Sequence, residues 1–200
     1  MFKIKNIYRF QIIVKYKVDP MLQKTLKELD EIYKLNNKIL NGDSKEIVLL
    51  DEALHEKKIS KIADKIAEND KVKMVLIAGP SSSGKTTFAQ RLGLQLKING
   101  LRPITISVDN YFVEREDTPI DENGKYDFES IYAVDIKLFN DHISKLLKGE
   151  EIDMPTFNFH TGHKEYRGEK LKLGPNDIMV IEGIHCLNDE LTPLIPNENK

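Results

Sequence analysis

The feature that most constrains the fold is a glycine- and serine-rich stretch near the middle of the chain. It fits the pattern G-x-x-x-x-G-K-[ST] with no mismatch, through Gly79, Pro80, Ser81, Ser82, Ser83, Gly84, Lys85 and Thr86. An apolar run, residues 74–78, precedes it and a helix-favouring stretch follows it. Glycines let backbone N–H groups turn inward, and the positive end of the helix dipole attracts anions. The pattern therefore predicts a phosphate-binding loop rather than an ordinary turn before a helix.

This phosphate loop (residues 79–86) predicts ATP as ligand and Mg²⁺ as its companion. Lys85 is expected to reach the terminal phosphates, and Thr86 to offer its hydroxyl to the metal ion. A second metal ligand is expected in Glu182, because this carboxylate ends the apolar run 178–181 at the sheet edge where ligands bind. The alternative for Glu182 is a solvated acid at a strand end.

Asp109 is a second carboxylate that follows an apolar strand, the one predicted at 103–108. At the carboxyl edge of the sheet it would lie near the terminal phosphate and could accept the proton of an attacking hydroxyl. A turn or helix-capping role is the alternative. Loop, lysine, metal ligands and base are together the parts that phosphoryl transfer requires.

The alternation of strands and helices predicts an α/β fold with a parallel sheet covered by helices. Strands are predicted at 74–78, 103–108 and 178–181, and helices at 85–97 and 135–148. Further upstream, the pattern favours a strand at 12–18 and helices over 21–40 and around 59–67. These predictions divide the chain into a mostly helical N-terminal extension, residues 1–70, and a phosphate-loop domain, residues 71–200.

Composition narrows the setting in which the protein works. The net charge of -2 does not suit a polycation built for nucleic acid or anionic membranes, although residues 1–40 carry nine Lys and Arg against four acids. Solvated lysines on a helix are the favoured interpretation of that segment over an RNA-binding arm. A single cysteine, Cys186, and no apolar run near about 18 residues predict a cytoplasmic protein outside the membrane.

Five ordered motifs between about residues 73 and 188 resemble the uridine kinase and phosphoribulokinase-like P-loop kinases. They are the phosphate loop with Thr87, followed by residues 107–112, 126–129, 155–159 and 181–184. Most similar is a bacterial uridine kinase-like subgroup whose kinase follows an N-terminal extension related to part of threonyl-tRNA synthetase, and residues 54–59 resemble it too. The resemblance implies a three-layer P-loop fold and an ATP- and Mg²⁺-dependent kinase.

Carried over residue by residue, the resemblance implies a role for each matched position. Asp109 becomes the general base beside Lys85, while Thr86 and Glu182 surround Mg²⁺. Nucleotide binding is implied for Gly79, Pro80, Ser81, Ser82, Ser83, Gly84, Lys85, Thr86 and Thr87. Acceptor contacts are implied for Asp127, Tyr111, Phe157, His163 and Arg167, with Asp127 holding two adjacent ribose hydroxyls.

The chain departs from these relatives in two ways. Uridine and cytidine kinases have a tyrosine where Phe157 stands, an aspartate at Asn158 and a histidine near Gly162, so kinase chemistry transfers but uridine as substrate does not. Family members also continue past Glu182 into further strands and an arginine-bearing lid. We therefore expect a sheet incomplete at its C-terminal side, and slow turnover by residues 1–200 alone.

Two classes of function follow from these observations. The first is ATP-dependent phosphoryl transfer to a hydroxyl of a small nucleoside-like or ribosyl acceptor. The alternative is a nucleotide-dependent switch or RNA-associated module without its own acceptor, which Asp109 and Asp127 together disfavour. The net charge of -2 makes nucleic acid a disfavoured partner, and it leaves an oligomer open.

Overall fold

The computed structural model describes residues 2–4, 7–9 and 20–200, and the chain divides into two compact units. The first unit, Met1–Ala53, contains the antiparallel strands β1 (Phe2–Ile4) and β2 (Ile7–Arg9), helix α1 (Pro20–Leu40) and the start of helix α2 (Ser44–Ala67). α1 confirms the helix predicted over 21–40. The strand predicted at 12–18 lies outside the described residues.

The second unit, Leu54–Lys200, contains the phosphate loop and a parallel sheet. The parallel sheet consists of β3 (Met74–Ile77), β4 (Arg102–Ser107) and β7 (Asp177–Glu182). A separate hairpin is formed by β5 (Ile152–Asn158) and β6 (His163–Leu171), and the complete helices of this unit are α3 (Lys85–Ile98) and α4 (Ile136–Leu147). β3, β7 and β4 pair in that order and all run parallel. The three predicted parallel strands and both predicted helices are thus confirmed.

β7 lies in the middle of the sheet and is buried on both faces. Its side chains alternate, so that Ile178 and Val180 pack against α2 and α3, whereas Met179 and Ile181 pack in the cluster that contains α4. α4 contributes fully buried side chains to that second cluster, as its apolar spacing predicts: Phe139, Ile143 and Leu146. Helices on both faces explain why β7 is apolar throughout instead of alternating.

The compact second unit begins earlier in the chain than the predicted boundary at 70/71. Ile59 and Ala63, in the second half of α2, are fully buried in the same cluster as Leu92 and Leu96 of α3. The helical spacing of these apolar residues was visible in the sequence, but the surface on which they pack was not. The last turns of α2 therefore form part of the phosphate-loop unit.

The antiparallel hairpin of β5 and β6 was not predicted from the sequence. Pro155 interrupts β5 and coincides with a register shift between Asp153 and Pro155, and proline argues against a strand in sequence patterns. β6 is mostly exposed and rich in charged residues, so it lacks the apolar alternation of a half-buried strand. The side-chain pattern of β6 does not specify a strand, so β6 is extended because it pairs with β5.

Sheet register brings the ends of the three parallel strands together. Glu182 of β7 pairs with Ile77 of β3 on one side and with Ser107 of β4 on the other. The phosphate loop leaves β3 at this edge, and Asp109 follows β4 at the same edge. Residues separated by about a hundred positions in the sequence therefore converge at one end of the sheet, as expected for a ligand site in a parallel fold. No helix among the described residues combines the length and apolarity needed to cross a membrane.

The opposite end of the sheet holds a charged pair that makes stability depend on pH. Arg102 donates two hydrogen bonds to Asp177, from Nε to Oδ1 at 2.6 Å and from Nη2 to Oδ2. These hydrogen bonds hold the pKa of the buried Asp177 carboxyl below its ordinary value. A carboxyl whose folded pKa is lowered stabilises the fold above its unfolded pKa of about 3.9, and loses that effect as pH falls through the folded pKa. We expect Asp177→Asn to lower the melting temperature by about 2–6 °C near neutral pH.

This difference between the Asp177→Asn variant and the parent should shrink toward zero as pH falls through the lowered folded pKa of Asp177, because the native carboxyl is then protonated as well. Thermal unfolding followed by circular dichroism at several pH values measures it. A difference that is the same at neutral and at acidic pH would contradict the assignment.

Candidate active site

The phosphate loop joins β3 to α3 through a tightly curled backbone. Gly84, immediately before α3, has a φ of 87°, and Ser82 has a φ of 59°. A Cβ at Gly79 would lie 2.7 Å from Ser83 Oγ, so a side chain there would force the Ser83 hydroxyl to move. A non-glycine residue with positive φ is uncommon and is concentrated at functional turns. A curl of this kind is what allows backbone N–H groups to converge on an anion.

The N-terminus of α3 completes this anion site. The first N–H groups of an α-helix have no partner within the helix, and Gly84 has no side chain with which to cap them. Lys85, the first residue of α3, folds back over the loop, with Nζ donating to the Pro80 carbonyl at 3.0 Å. A phosphate entering the loop would meet helix N–H groups and a lysine ammonium together.

Asp109 lies in a short 3-10 helix, Val108–Tyr111, directly after β4. Partial burial of the carboxyl raises its pKa, and the negative charge of Glu182 raises it further, while Lys85 and His185 lower it. These interactions decrease with distance, so the two carboxylates, the lysine and the histidine form one electrostatic group. The structure therefore brings together three residues predicted separately from the sequence: Lys85, Asp109 and Glu182.

His185 belongs to this group, and sequence reasoning missed it. Its Nε2 is buried and has no hydrogen-bond partner among the described residues. Buried polar atoms are nearly always paired, so this unpaired nitrogen, close enough to Asp109 to act on its charge, is a candidate for a contact with a ligand or a water. The one signal in the sequence is its place three residues after Glu182, in the turn that leaves the central strand.

Cys186, next to His185, is chemically inert here. Burial raises the pKa of its thiol to about 12, and Sγ donates to the Ile181 carbonyl at 3.7 Å. Because the thiolate is the reactive form of cysteine, a buried thiol of this kind does not act as a nucleophile.

Two residues predicted to contact the acceptor are buried in the core. Tyr111 is fully buried, with its hydroxyl 3.2 Å from His142 Nδ1 and its ring edge-on to Phe139. Phe157 is 4% exposed and packs between Phe112 and Phe159, with ring centroids 5.5 and 5.1 Å away. Their contact with an acceptor stays a prediction. Tyr111 anchors the turn that carries Asp109, because the two share one 3-10 helix.

Asp127, another residue predicted to contact the acceptor, lies next to an aromatic cluster defined by Phe112, Phe128, Phe157 and Phe159. Phe112 links its parts, because it lies three residues after Asp109 and contacts Phe128, the neighbour of Asp127. Phe159 is the member with an exposed ring, at 57% of its surface. The cluster thus connects the turn of Asp109 with the loop of Asp127.

Asp127 is half-buried, and its Oδ1 accepts hydrogen bonds from the N–H groups of Glu129 and Ser130, at 3.0 and 3.1 Å. On the hairpin, His163 Nδ1 lies 2.8 Å from an oxygen of Glu114, and Arg167 pairs with Glu165 at 3.0 Å. Sequence reasoning missed Glu114, whose position opposite His163 depends on the hairpin.

The residues predicted for magnesium fit that ion by their donor chemistry. Within the part of the chain that the structure describes, no group of three or more His, Cys, Asp or Glu side chains is arranged to hold a metal ion. Mg²⁺ at phosphoryl-transfer sites needs only one or two protein oxygens, since phosphates and waters complete its octahedron. The Thr86 hydroxyl and the Glu182 carboxylate are oxygen donors of that kind.

Known proteins resemble this chain over the segment that contains the phosphate loop. The family model described as Phosphoribulokinase / Uridine kinase family matches residues 74–195. A uridine kinase from Halobacterium salinarum is 32% identical over 114 residues, covering 57% of this chain and 48% of that protein. A uridine kinase from Mycoplasma genitalium is 33% identical over 119 residues, covering 58% of this chain and 54% of that protein. The chain spans about half the length of the curated relatives it matches.

A solved structure described as a possible uridine kinase from Bacillus stearothermophilus has a TM-score of 0.56 to this chain at 24% identity. It covers 70% of this chain and 76% of the other, and it confirms the predicted α/β fold with a parallel sheet. The family match begins at the first residue of β3 and extends beyond β7, so it contains the phosphate loop, Asp109 and Glu182. The chain therefore belongs to the phosphoribulokinase / uridine kinase family.

Proposed function

We propose that the protein transfers the terminal phosphoryl group of ATP to a hydroxyl of a nucleoside-like or ribosyl acceptor. The observation that carries the proposal is the electrostatic group at the sheet edge, where Asp109 is coupled to Glu182, Lys85 and His185. A protein that only senses nucleotide needs no base beside the terminal phosphate. Membership of the family and the names of its uridine kinase relatives support the same chemistry.

In the proposed reaction the phosphates lie in the loop, against the N–H groups at the start of α3. Lys85 exchanges its bond to the Pro80 carbonyl for the phosphate oxygens and neutralises charge that develops during transfer. The orphaned Nε2 of His185 is free of protein partners among the described residues and can contact a phosphate oxygen or water. Mg²⁺, held by Thr86 and Glu182, would add further charge neutralisation.

Asp109 accepts the proton of the acceptor hydroxyl as the hydroxyl oxygen forms its bond to phosphorus and ADP leaves. The raised pKa of this carboxyl makes it a stronger base than an ordinary aspartate. Desolvation is the largest cause of that increase, so the same surroundings that exclude water from the site also strengthen the base.

For the acceptor, we propose that Asp127 binds two adjacent ribose hydroxyls and that the exposed ring of Phe159 offers a surface for a flat base. One oxygen of Asp127 is already bonded to its own turn, which holds the carboxylate in a fixed orientation. His163 and Arg167 are held by Glu114 and Glu165 at the hairpin, where they are proposed to contact the far end of the acceptor. The acceptor class is thus nucleoside-like, with uridine itself not assigned.

ADP release with a panel of nucleosides and ribosyl compounds tests the proposed function. We expect at least one acceptor to raise turnover well above the rate of ATP hydrolysis, and Lys85→Ala to remove the increase. If no acceptor raised turnover while ATP still bound through the phosphate loop, the protein would be a nucleotide-dependent switch instead.

A further inference from the structure

The phosphate loop borders a cavity of about 520 Å³ on the side where α2 meets α3. We propose that this cavity binds the base of the nucleotide, and that His55 of α2 contacts that base. The inference rests on the proposed function, since it requires that the loop hold a nucleotide. It assigns a nucleotide-binding role to a residue upstream of the segment matched by the family model.

The cavity and the phosphate loop share residues, so one ligand can occupy both. The cavity is lined by His55, Ile77, Ala78, Ser83, Gly84, Lys85, Thr87 and Phe88. Three of these belong to the loop itself, and Thr87 lies in the first turn of α3. A nucleotide whose phosphates contact those N–H groups has its ribose and base within a few ångströms of the loop, and this cavity directly adjoins it.

The chemistry of the cavity suits a flat heteroaromatic group better than a second anion. Ile77, Ala78 and Phe88 supply an apolar lining, and the ring of His55 lies 6.4 Å from that of Phe88 at an angle of 31°. A base between or beside such rings gains stacking energy, as bases do on aromatic side chains in general. A phosphate would find its donors in the loop, not against these apolar groups.

A contact with Arg91 of α3 holds the His55 ring in place. Its Nδ1 lies 3.3 Å from Arg91 Nη1, and Arg91 in turn is held by Glu56 at 2.8 Å. Gln95 also donates to Glu56 at 2.7 Å, and the hydrogen bonds from Gln95 and Arg91 lower the pKa of Glu56, which keeps it ionised. This network joins the second half of α2 to α3 beside the cavity.

Arginine only donates hydrogen bonds, so the Arg91 contact defines the tautomer of His55. Nδ1 accepts, and the proton of the neutral imidazole is therefore on Nε2. An Nε2–H donor beside an apolar wall matches the ring-nitrogen or carbonyl acceptors on the edge of a nucleobase. The cavity thus combines a stacking surface with one directional donor, which is a common composition for small-molecule sites.

The test compares ATP with inorganic tripolyphosphate, which has the phosphates but neither ribose nor base. Isothermal titration calorimetry on the 200-residue chain measures both affinities. We expect His55→Ala to weaken ATP binding about five- to thirtyfold, the loss of one stacked, hydrogen-bonded contact, with tripolyphosphate binding unchanged. Phe88→Leu should shift ATP affinity in the same direction. Lys58→Ala, an exposed residue of α2 that does not line the cavity, is the matched control.

Unchanged ATP affinity in His55→Ala would overturn the inference, because His55 would then not contact the nucleotide. An equal loss of affinity for ATP and tripolyphosphate would overturn it too, because His55 would then affect only phosphate binding in the loop. Lys85→Ala separates this outcome from failure of the proposed function. If Lys85→Ala no longer binds ATP or tripolyphosphate, the phosphates bind in the loop, and this holds whether or not His55 contacts the base. Retention of both ligands in that variant would remove the proposed function together with the inference.

Discussion

Replacing Asp109 with asparagine is expected to lower acceptor-dependent turnover about 10²- to 10⁴-fold, the range that general-base catalysis contributes. Asparagine keeps the shape of the side chain but cannot accept the proton of the attacking hydroxyl. ATP binding depends on the phosphate loop, so the dissociation constant for ATP should stay close to that of the parent. Steady-state ADP release and calorimetric titration with ATP measure the two quantities.

The pH dependence adds an independent check on Asp109. Its raised pKa predicts that turnover falls as pH drops through that pKa, because protonation removes the base, and the acid limb should disappear in Asp109→Asn. A carboxyl whose folded pKa is raised costs stability once it ionises above its unfolded pKa, so Asp109→Asn should not lower the melting temperature near neutral pH. Turnover within about tenfold of the parent would show that Asp109 is not the base.

Replacing Phe139 with alanine is expected to lower the free energy of unfolding by about 3–5 kcal/mol, as for other fully buried aromatic residues. Phe139 is fully buried in α4 and lies edge-on to Tyr111, with ring centroids 5.1 Å apart. The cavity left behind would loosen the support of Tyr111 and hence of the turn that carries Asp109. Urea unfolding followed by circular dichroism measures the change.

Phe139→Leu is the matched control, because it retains most of the buried volume and should cost less than about half of the alanine effect. A loss below about 1 kcal/mol in Phe139→Ala would mean that α4 does not pack on Tyr111 as described. A large stability loss combined with unchanged turnover in the remaining folded protein would mean that Asp109 does not depend on this anchor.

Much of the fold could be predicted because its signals are local. The phosphate loop needs glycine where the backbone takes a positive φ, and Gly84 has that conformation. The central strand β7 is covered on both faces and β3 beside it is apolar throughout, so both are short apolar runs that stand out in the sequence. The helix periods of α3 and α4 depend on residues three and four positions apart. Such local patterns can be recognised in the sequence without knowing which residues pack against them in the fold.

The sequence says less about the acceptor side of the site, for a physical reason. Tyr111 and Phe157 are amphipathic or aromatic residues in motifs near the site, and the sequence does not say whether such rings face solvent or the core. Packing against Phe139 and Phe112 decides that question. The β5–β6 hairpin escaped prediction because a bulge at Pro155 and a charged, exposed β6 conceal its pairing.

The sequence by itself determined the family, the phosphate loop and the identities of Lys85, Asp109 and Glu182, since each is tied to a local strand-end pattern. Only the tertiary structure decided which residues meet. The order β3-β7-β4 places Glu182 between the ends of the other two strands and brings His185 beside Asp109. Packing of α2 on α3 likewise brings His55 to the phosphate loop. These contacts join segments that are distant in the sequence, so they form only in the assembled fold. No local pattern of residues in the sequence predicts them.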